Sequence, residues 1–177
     1  MNLPNKLTML RVVLIPIFLL LYPASILSDP VSRYAALFVF SIAALTDALD
    51  GYIARRRNMI TNFGKLMDPM ADKLLVAAAF IAMVQSEALP AWVVIIIISR
   101  EFLMSGYRML ALERNIVIAA SSWGKLKTIS QIVLIIMILL DFFPNYVIIP
   151  VIAVSTLLTI ISAVDYILKN KGVMKSE

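Results

Sequence analysis

The sequence predicts an all-α integral membrane protein. Six transmembrane helices follow a short N-terminal interfacial amphipathic segment, and residues 1–177 form one membrane domain. Three observations predict this. First, 62% of the residues are apolar and only 15% are charged, against about 25% charged in ordinary soluble domains. Second, the apolar residues fall into six runs near the length of about 20 residues that a helix needs to cross a bilayer. Third, the cations gather on one side of those runs. A soluble domain of this size could not hide so much apolar surface, whereas lipid can be its solvent.

Taken in order, the first run covers about 8–27. The stretch before it, Met1–Thr8, is mildly amphipathic and is predicted to lie along the membrane surface. The run has no small-residue cleavage site and holds Arg11 inside it, so it reads as a retained helix, not a signal peptide. The second run covers 32–53 and the third 68–86. The fourth is 90–112, the fifth 124–142 and the sixth 145–167. Pro30, Pro90 and Pro144 sit at or near the starts of runs two, four and six, where a helix tolerates proline. Pro16 and Pro150 fall inside runs and are predicted to bend them.

The cations set the orientation. Of 16 Lys and Arg residues, all but Arg33 and Arg100 cluster at the N-terminus, after runs two and four, and in the tail. The positive-inside rule then puts both termini in the cytoplasm. An even number of spans gives the same result. The net charge of +5 belongs to this topology and does not call for nucleic acid.

The chain has no cysteine and no histidine. That excludes disulfides and thiolate catalysis, and it removes the commonest general base and metal ligand. Any metal must be held by oxygen, which points to Mg²⁺, Mn²⁺ or Ca²⁺.

Four of the 11 acidic residues lie between positions 47 and 72. Asp47 and Asp50 are three apart near the end of run two. Asp68 and Asp72 are four apart at the start of run three. At helical spacing each pair shares a face. The short basic loop between makes the two helices antiparallel neighbours, so the four carboxylates can converge. An aspartate in a membrane helix costs about 3 kcal/mol at mid-bilayer, and converging anions also repel. Solvated carboxylates paired with Lys65, Lys73 or Arg55 are the plainer alternative. Divalent cations explain the convergence itself, because carboxylates supply ligands and the metal offsets the repulsion. Gly51 and Ala54 allow close approach of a ligand or backbone, Gly64 ends the loop, and Arg55 offers a fixed charge to phosphate. Together these residue types describe a phosphoryl-transfer site.

Written out, the segment is Asp47-x-x-Asp50-Gly51-x-x-Ala54-Arg55, eight residues, then Gly64-x-x-x-Asp68-x-x-x-Asp72. It resembles the signature of the CDP-alcohol phosphotransferase family at every specified position. The resemblance implies a homodimer with a polar cavity open to the cytoplasm. It implies that Asp47, Asp50, Asp68 and Asp72 hold two divalent metals, Mg²⁺ or Mn²⁺. It places a CDP-linked lipid, CDP-diacylglycerol, against Asp47, Gly51, Ala54, Arg55 and Gly64, and it makes Asp72 the general base. Three further stretches resemble one bacterial branch that uses glycerol 3-phosphate as acceptor: Asn2–Thr8 with Arg11, Ser99–Phe102 with Arg108, and Gly124–Thr128. That branch adds Asn5 and Thr8 to the lipid site and implies the bacterial cytoplasmic membrane.

A surplus of cations bears on the acceptor. Lys73, Arg100, Arg108, Lys125 and Lys127 surround the cytoplasmic halves of runs three to five. An acceptor that is itself a phosphate would use them, which favours glycerol 3-phosphate over serine, ethanolamine or choline and leaves inositol phosphate open; inositol phosphate, serine and a second phosphatidylglycerol are the runner-up acceptors. Arg100 stands beside Glu101, and an ion pair between them is the structural alternative. A cation transporter is the rival from another class. It would need polar residues along a full crossing, and the outer halves of the runs are nearly all apolar.

Overall fold

The computed structural model describes residues 3–23, 28–57, 62–113 and 121–171; the side chains of 3–6, 47–57, 62–69, 72 and 112 lie outside that description. Among the described residues there are six helices and no strand. They are α1 (Leu3–Leu21), α2 (Asp29–Arg57), α3 (Asn62–Gln85), α4 (Ala91–Glu113), α5 (Ser122–Leu140) and α6 (Asn145–Lys169). They form two compact units, Met1–Leu89 and Pro90–Glu177.

Each helix corresponds to one apolar run, and the differences lie at the ends. α1 begins at Leu3, so the stretch expected to lie on the surface is, from Leu3 onward, continuous with the helix of the first apolar run. It stops at Leu21 instead of near 27, because Tyr22 precedes Pro23 and a residue before proline disfavours the helical region. α2 and α3 run past their apolar stretches into charged sequence. Backbone hydrogen bonding continues where hydropathy fades. Arg55, Arg56 and Arg57 therefore end α2 instead of lying in a loop, and Gly64 falls in the first turn of α3 instead of closing that loop. Pro16 and Pro150 lie within α1 and α6.

In the first unit, α1 packs on α2 and α3, and α2 meets α3. The buried stripe of α1 is Thr8, Arg11, Phe18 and Tyr22. That of α2 is Ser32, Ala36, Phe40, Ala43 and Thr46, and that of α3 includes Ala71, Leu75, Ala79 and Ala82. Spacings of three and four keep each series on one helical face. Alanine on two of the stripes lets backbones approach closely, as helices in lipid commonly do. Phe18 fills the space between, its ring centroid 6.1 Å from Phe40 and 6.2 Å from Tyr22. The Tyr22 hydroxyl meets the Ser86 hydroxyl at 2.6 Å and ties the end of α1 to the end of α3.

In the second unit, α6 packs on α4 and α5. Its buried face is polar: Ser155, Thr156, Thr159, Ser162 and Tyr166. Its exposed face carries Val154, Leu157, Ile160, Ile161, Val164 and Leu168. A helix that turns hydroxyls inward and branched aliphatics outward suits an apolar surround. The threonine hydroxyls are satisfied locally, Thr156 donating to the Ile152 carbonyl and Thr159 to that of Ser155, each at 2.8 Å, while the buried Tyr166 hydroxyl has no partner among the described residues. Gln131 of α5 donates to Thr159 at 3.1 Å. α5 and α6 are both long and apolar enough to cross a membrane.

Candidate active site

In the first unit the site rests on helix register. Asp47 and Asp50 lie in α2, Asp68 and Asp72 in α3. Position 47 is 10 residues before the end of α2 (57 − 47), and position 72 is 10 residues into α3 (72 − 62). At the α-helical rise each stands about 15 Å from the ends joined by residues 58–61. Positions 50 and 68 are both roughly 10 Å from those ends. On neighbouring antiparallel helices the four positions thus pair by height. By helical spacing positions 47 and 50 fall in register with Ala36, Phe40 and Ala43 of α2, and positions 68 and 72 with Leu75, Ala79 and Ala82 of α3. The side chains of all four, with those of Asn5, Gly51, Ala54, Arg55 and Gly64, lie outside the described residues.

α1 brings a cation to this level. Arg11 is fully buried, and its Nε donates to the Ala43 carbonyl of α2 at 3.4 Å, one helical turn before Asp47. Thr8, one turn earlier on the same face of α1, is also fully buried. Lys73, next to Asp72 in α3, is half-buried.

The second unit holds the other cations. Glu101 of α4 accepts a hydrogen bond from Arg100 Nη1 at 3.1 Å, and the same oxygen, Oε1, accepts one from Lys127 of α5. The expected Arg100–Glu101 pair therefore forms, and Lys127 joins it. The Lys127 side chain is only 5% exposed. It is a buried residue near the start of α5. The Nε of Arg100 is buried and has no partner among the described residues. A donor left in that state costs about 1–3 kcal/mol, so it calls for an acceptor. Arg108 and Lys125 are exposed on α4 and α5, and the structure does not bring them into the Glu101 contact.

The donors available at positions 47, 50, 68 and 72 are carboxylate oxygens, with neither imidazole nor thiolate in the chain. An all-oxygen set of four acids fits hard divalent cations such as Mg²⁺ or Mn²⁺. Two such ions would bring the group to zero net charge. Among the described residues no group of three or more acids is placed to hold a metal.

A family model described as CDP-alcohol phosphatidyltransferase matches residues 1–164. The chain belongs to this family. The CDP-diacylglycerol–glycerol-3-phosphate 3-phosphatidyltransferase of Bacillus subtilis (strain 168) is 42% identical over 189 residues, covering 99% of this chain and 98% of its own length. The Haemophilus influenzae protein of that name is 39% identical over 181 residues, covering 97% and 94%. The Rickettsia typhi protein of that name is 38% identical over 130 residues, covering 73% and 71%.

In this CDP-alcohol phosphatidyltransferase two residues outside the expected site stand out. One is Glu101, whose bridging role the sequence could not show, because Lys127 is 26 positions away. The other is Arg11, signalled as a charge inside an apolar run and in a stretch that resembles the bacterial branch. Removing the Arg11 guanidinium should loosen α1 from α2. Arg11→Met is expected to lower the thermal midpoint in detergent, by a loss of roughly 1.5–3 kcal/mol for a charged hydrogen bond, and to slow turnover with it. A midpoint equal to that of the parent chain would remove this anchoring role.

Proposed function

We propose that this enzyme transfers the phosphatidyl group of CDP-diacylglycerol to sn-glycerol 3-phosphate, giving phosphatidylglycerol phosphate and CMP. It thereby serves the synthesis of anionic phospholipids. The observation that carries the reading is the end-to-end likeness to the Bacillus subtilis protein named for this reaction. We read both units as one catalytic domain with six spans, both termini and the site facing the cytoplasm, working as a homodimer in a bacterial inner membrane.

The hydroxyl of the acceptor attacks the lipid-bearing phosphorus, and CMP leaves. Asp47, Asp50, Asp68 and Asp72 would hold two divalent cations, Mg²⁺ or Mn²⁺. When bound, such ions polarise phosphate oxygens and offset charge on the leaving group. Asn5, Thr8, Gly51, Ala54, Arg55 and Gly64 receive the CDP moiety. Gly51 and Ala54 leave room for it, and Arg55 supplies a fixed charge to its phosphates. Asp72 takes the proton of the attacking hydroxyl, a task for which the chain offers no histidine. Arg100 and Lys127, with Lys73, Arg108 and Lys125, receive the acceptor's phosphate. The lipid tails stay in the bilayer while the soluble acceptor arrives from the cytoplasm and CMP returns there.

An acceptor panel tests this. Purified enzyme with CDP-diacylglycerol and divalent metal should release CMP with glycerol 3-phosphate and far less with serine, inositol phosphate or phosphatidylglycerol. Preference for another acceptor would leave the chemistry standing and overturn the substrate.

A further inference from the structure

Arg100, Glu101 and Lys127 form a compact group inside the second unit. Glu101 Oε1 receives Nη1 of Arg100 at 3.1 Å and Nζ of Lys127, so one carboxylate oxygen holds two cations from two helices. The side chains are 14%, 20% and 5% exposed, respectively, so water does little to screen them. Without Glu101 the two cations would repel, and Lys127 would draw away toward water on its flexible stem. With it, the group keeps one net positive charge and a fixed shape.

The guanidinium is used unevenly. Nη1 is taken by Glu101, while Nε is buried with no partner among the described residues. A guanidinium presents Nε and its second Nη as a side-on fork matched to two phosphate oxygens. Glu101 thus holds the other end of Arg100 and leaves the unpartnered Nε for an incoming anion. Lys127, pinned to the same oxygen, adds a positive charge beside it.

We propose that Glu101 is a positioning residue for the acceptor. It orients Arg100 and Lys127 as a preformed receptor for the phosphate of glycerol 3-phosphate, without touching the substrate itself. This rests on the reading of the acceptor given above. It also predicts how an anionic residue can strengthen the binding of an anion: through the alignment of two cations, at the cost of one unit of charge.

The test is steady-state kinetics by CMP release on the detergent-purified full chain with its divalent metal, for the parent enzyme, Glu101→Gln and Glu101→Asp. Each substrate is varied with the other saturating. Glu101→Gln should raise KM for glycerol 3-phosphate by about tenfold or more. KM for CDP-diacylglycerol should stay near that of the parent, and kcat should fall far less than the acceptor KM rises. Glu101→Asp, which keeps the charge on a shorter arm, should recover part of the loss. An acceptor KM unchanged in folded Glu101→Gln overturns the proposal. So does a fall in kcat matched by an equal rise in both KM values, the mark of a general structural role. A chain that is monodisperse with neither Gln nor Asp at 101 also overturns it, because Glu101 is then needed for folding. The parent enzyme separates the two levels. If it fails to use glycerol 3-phosphate, the acceptor reading falls. If it turns over normally and Glu101→Gln matches it, only the positioning role falls.

Discussion

Asp72→Asn should abolish turnover while leaving the helices intact. Asparagine has the same shape as aspartate, but it cannot carry away a proton and is a poorer ligand for a hard cation. General-base catalysis alone contributes about 10²–10⁴-fold, and the metal role adds to that. CMP release should therefore fall by at least about a thousandfold. The fold should survive, because position 72 continues the stripe already set by Ala71, Leu75 and Ala79 of α3, and the change relieves carboxylate repulsion. The measurement is CMP release beside a size-exclusion profile in detergent. Near-normal release from a monodisperse variant would strip Asp72 of its role as base.

Removing divalent metal should have an equally large effect. Excess chelator is expected to bring CMP release to background, and Mg²⁺ or Mn²⁺ to restore it. The reason is electrostatic. Positions 47, 50, 68 and 72 place up to four negative charges on two neighbouring helices, and nothing in the chain but arginine and lysine could offset them. Stripped of cations, the group repels itself, so the thermal midpoint should drop together with activity. Release that persists in excess chelator would end the metal reading.

Much of the fold was legible along the chain because an apolar surround imposes local patterns. A bilayer demands long apolar runs; each of the six helices overlaps one of the runs, and α5 and α6 are long and apolar enough to cross a membrane. A carboxylate site on two helices needs acids three or four apart, and Asp47, Asp50, Asp68 and Asp72 have that spacing. Helix ends were less legible. α2 and α3 continue through Arg57 and from Asn62, because a helix follows its backbone hydrogen bonds and not its hydropathy. The end of α1 at Leu21 was signalled by Pro23, and the apolar residues on either side outweighed it. The burial of Lys127 was not legible either: it lies two residues from the exposed Lys125, and a helix sends neighbours two apart to opposite faces.

By itself, then, the sequence determined the family of the protein, the runs that become helices, and that any metal proposed for it must be held by oxygen. These follow from composition and from spacing within single helices, which the backbone's own geometry dictates. Only the tertiary structure decided that Arg11 is buried against the Ala43 carbonyl, that α6 turns its hydroxyls inward, and that Glu101 joins Arg100 to Lys127. Those facts depend on which face of one helix meets which face of another. That choice is made by packing between segments far apart in the chain, and no local pattern encodes it.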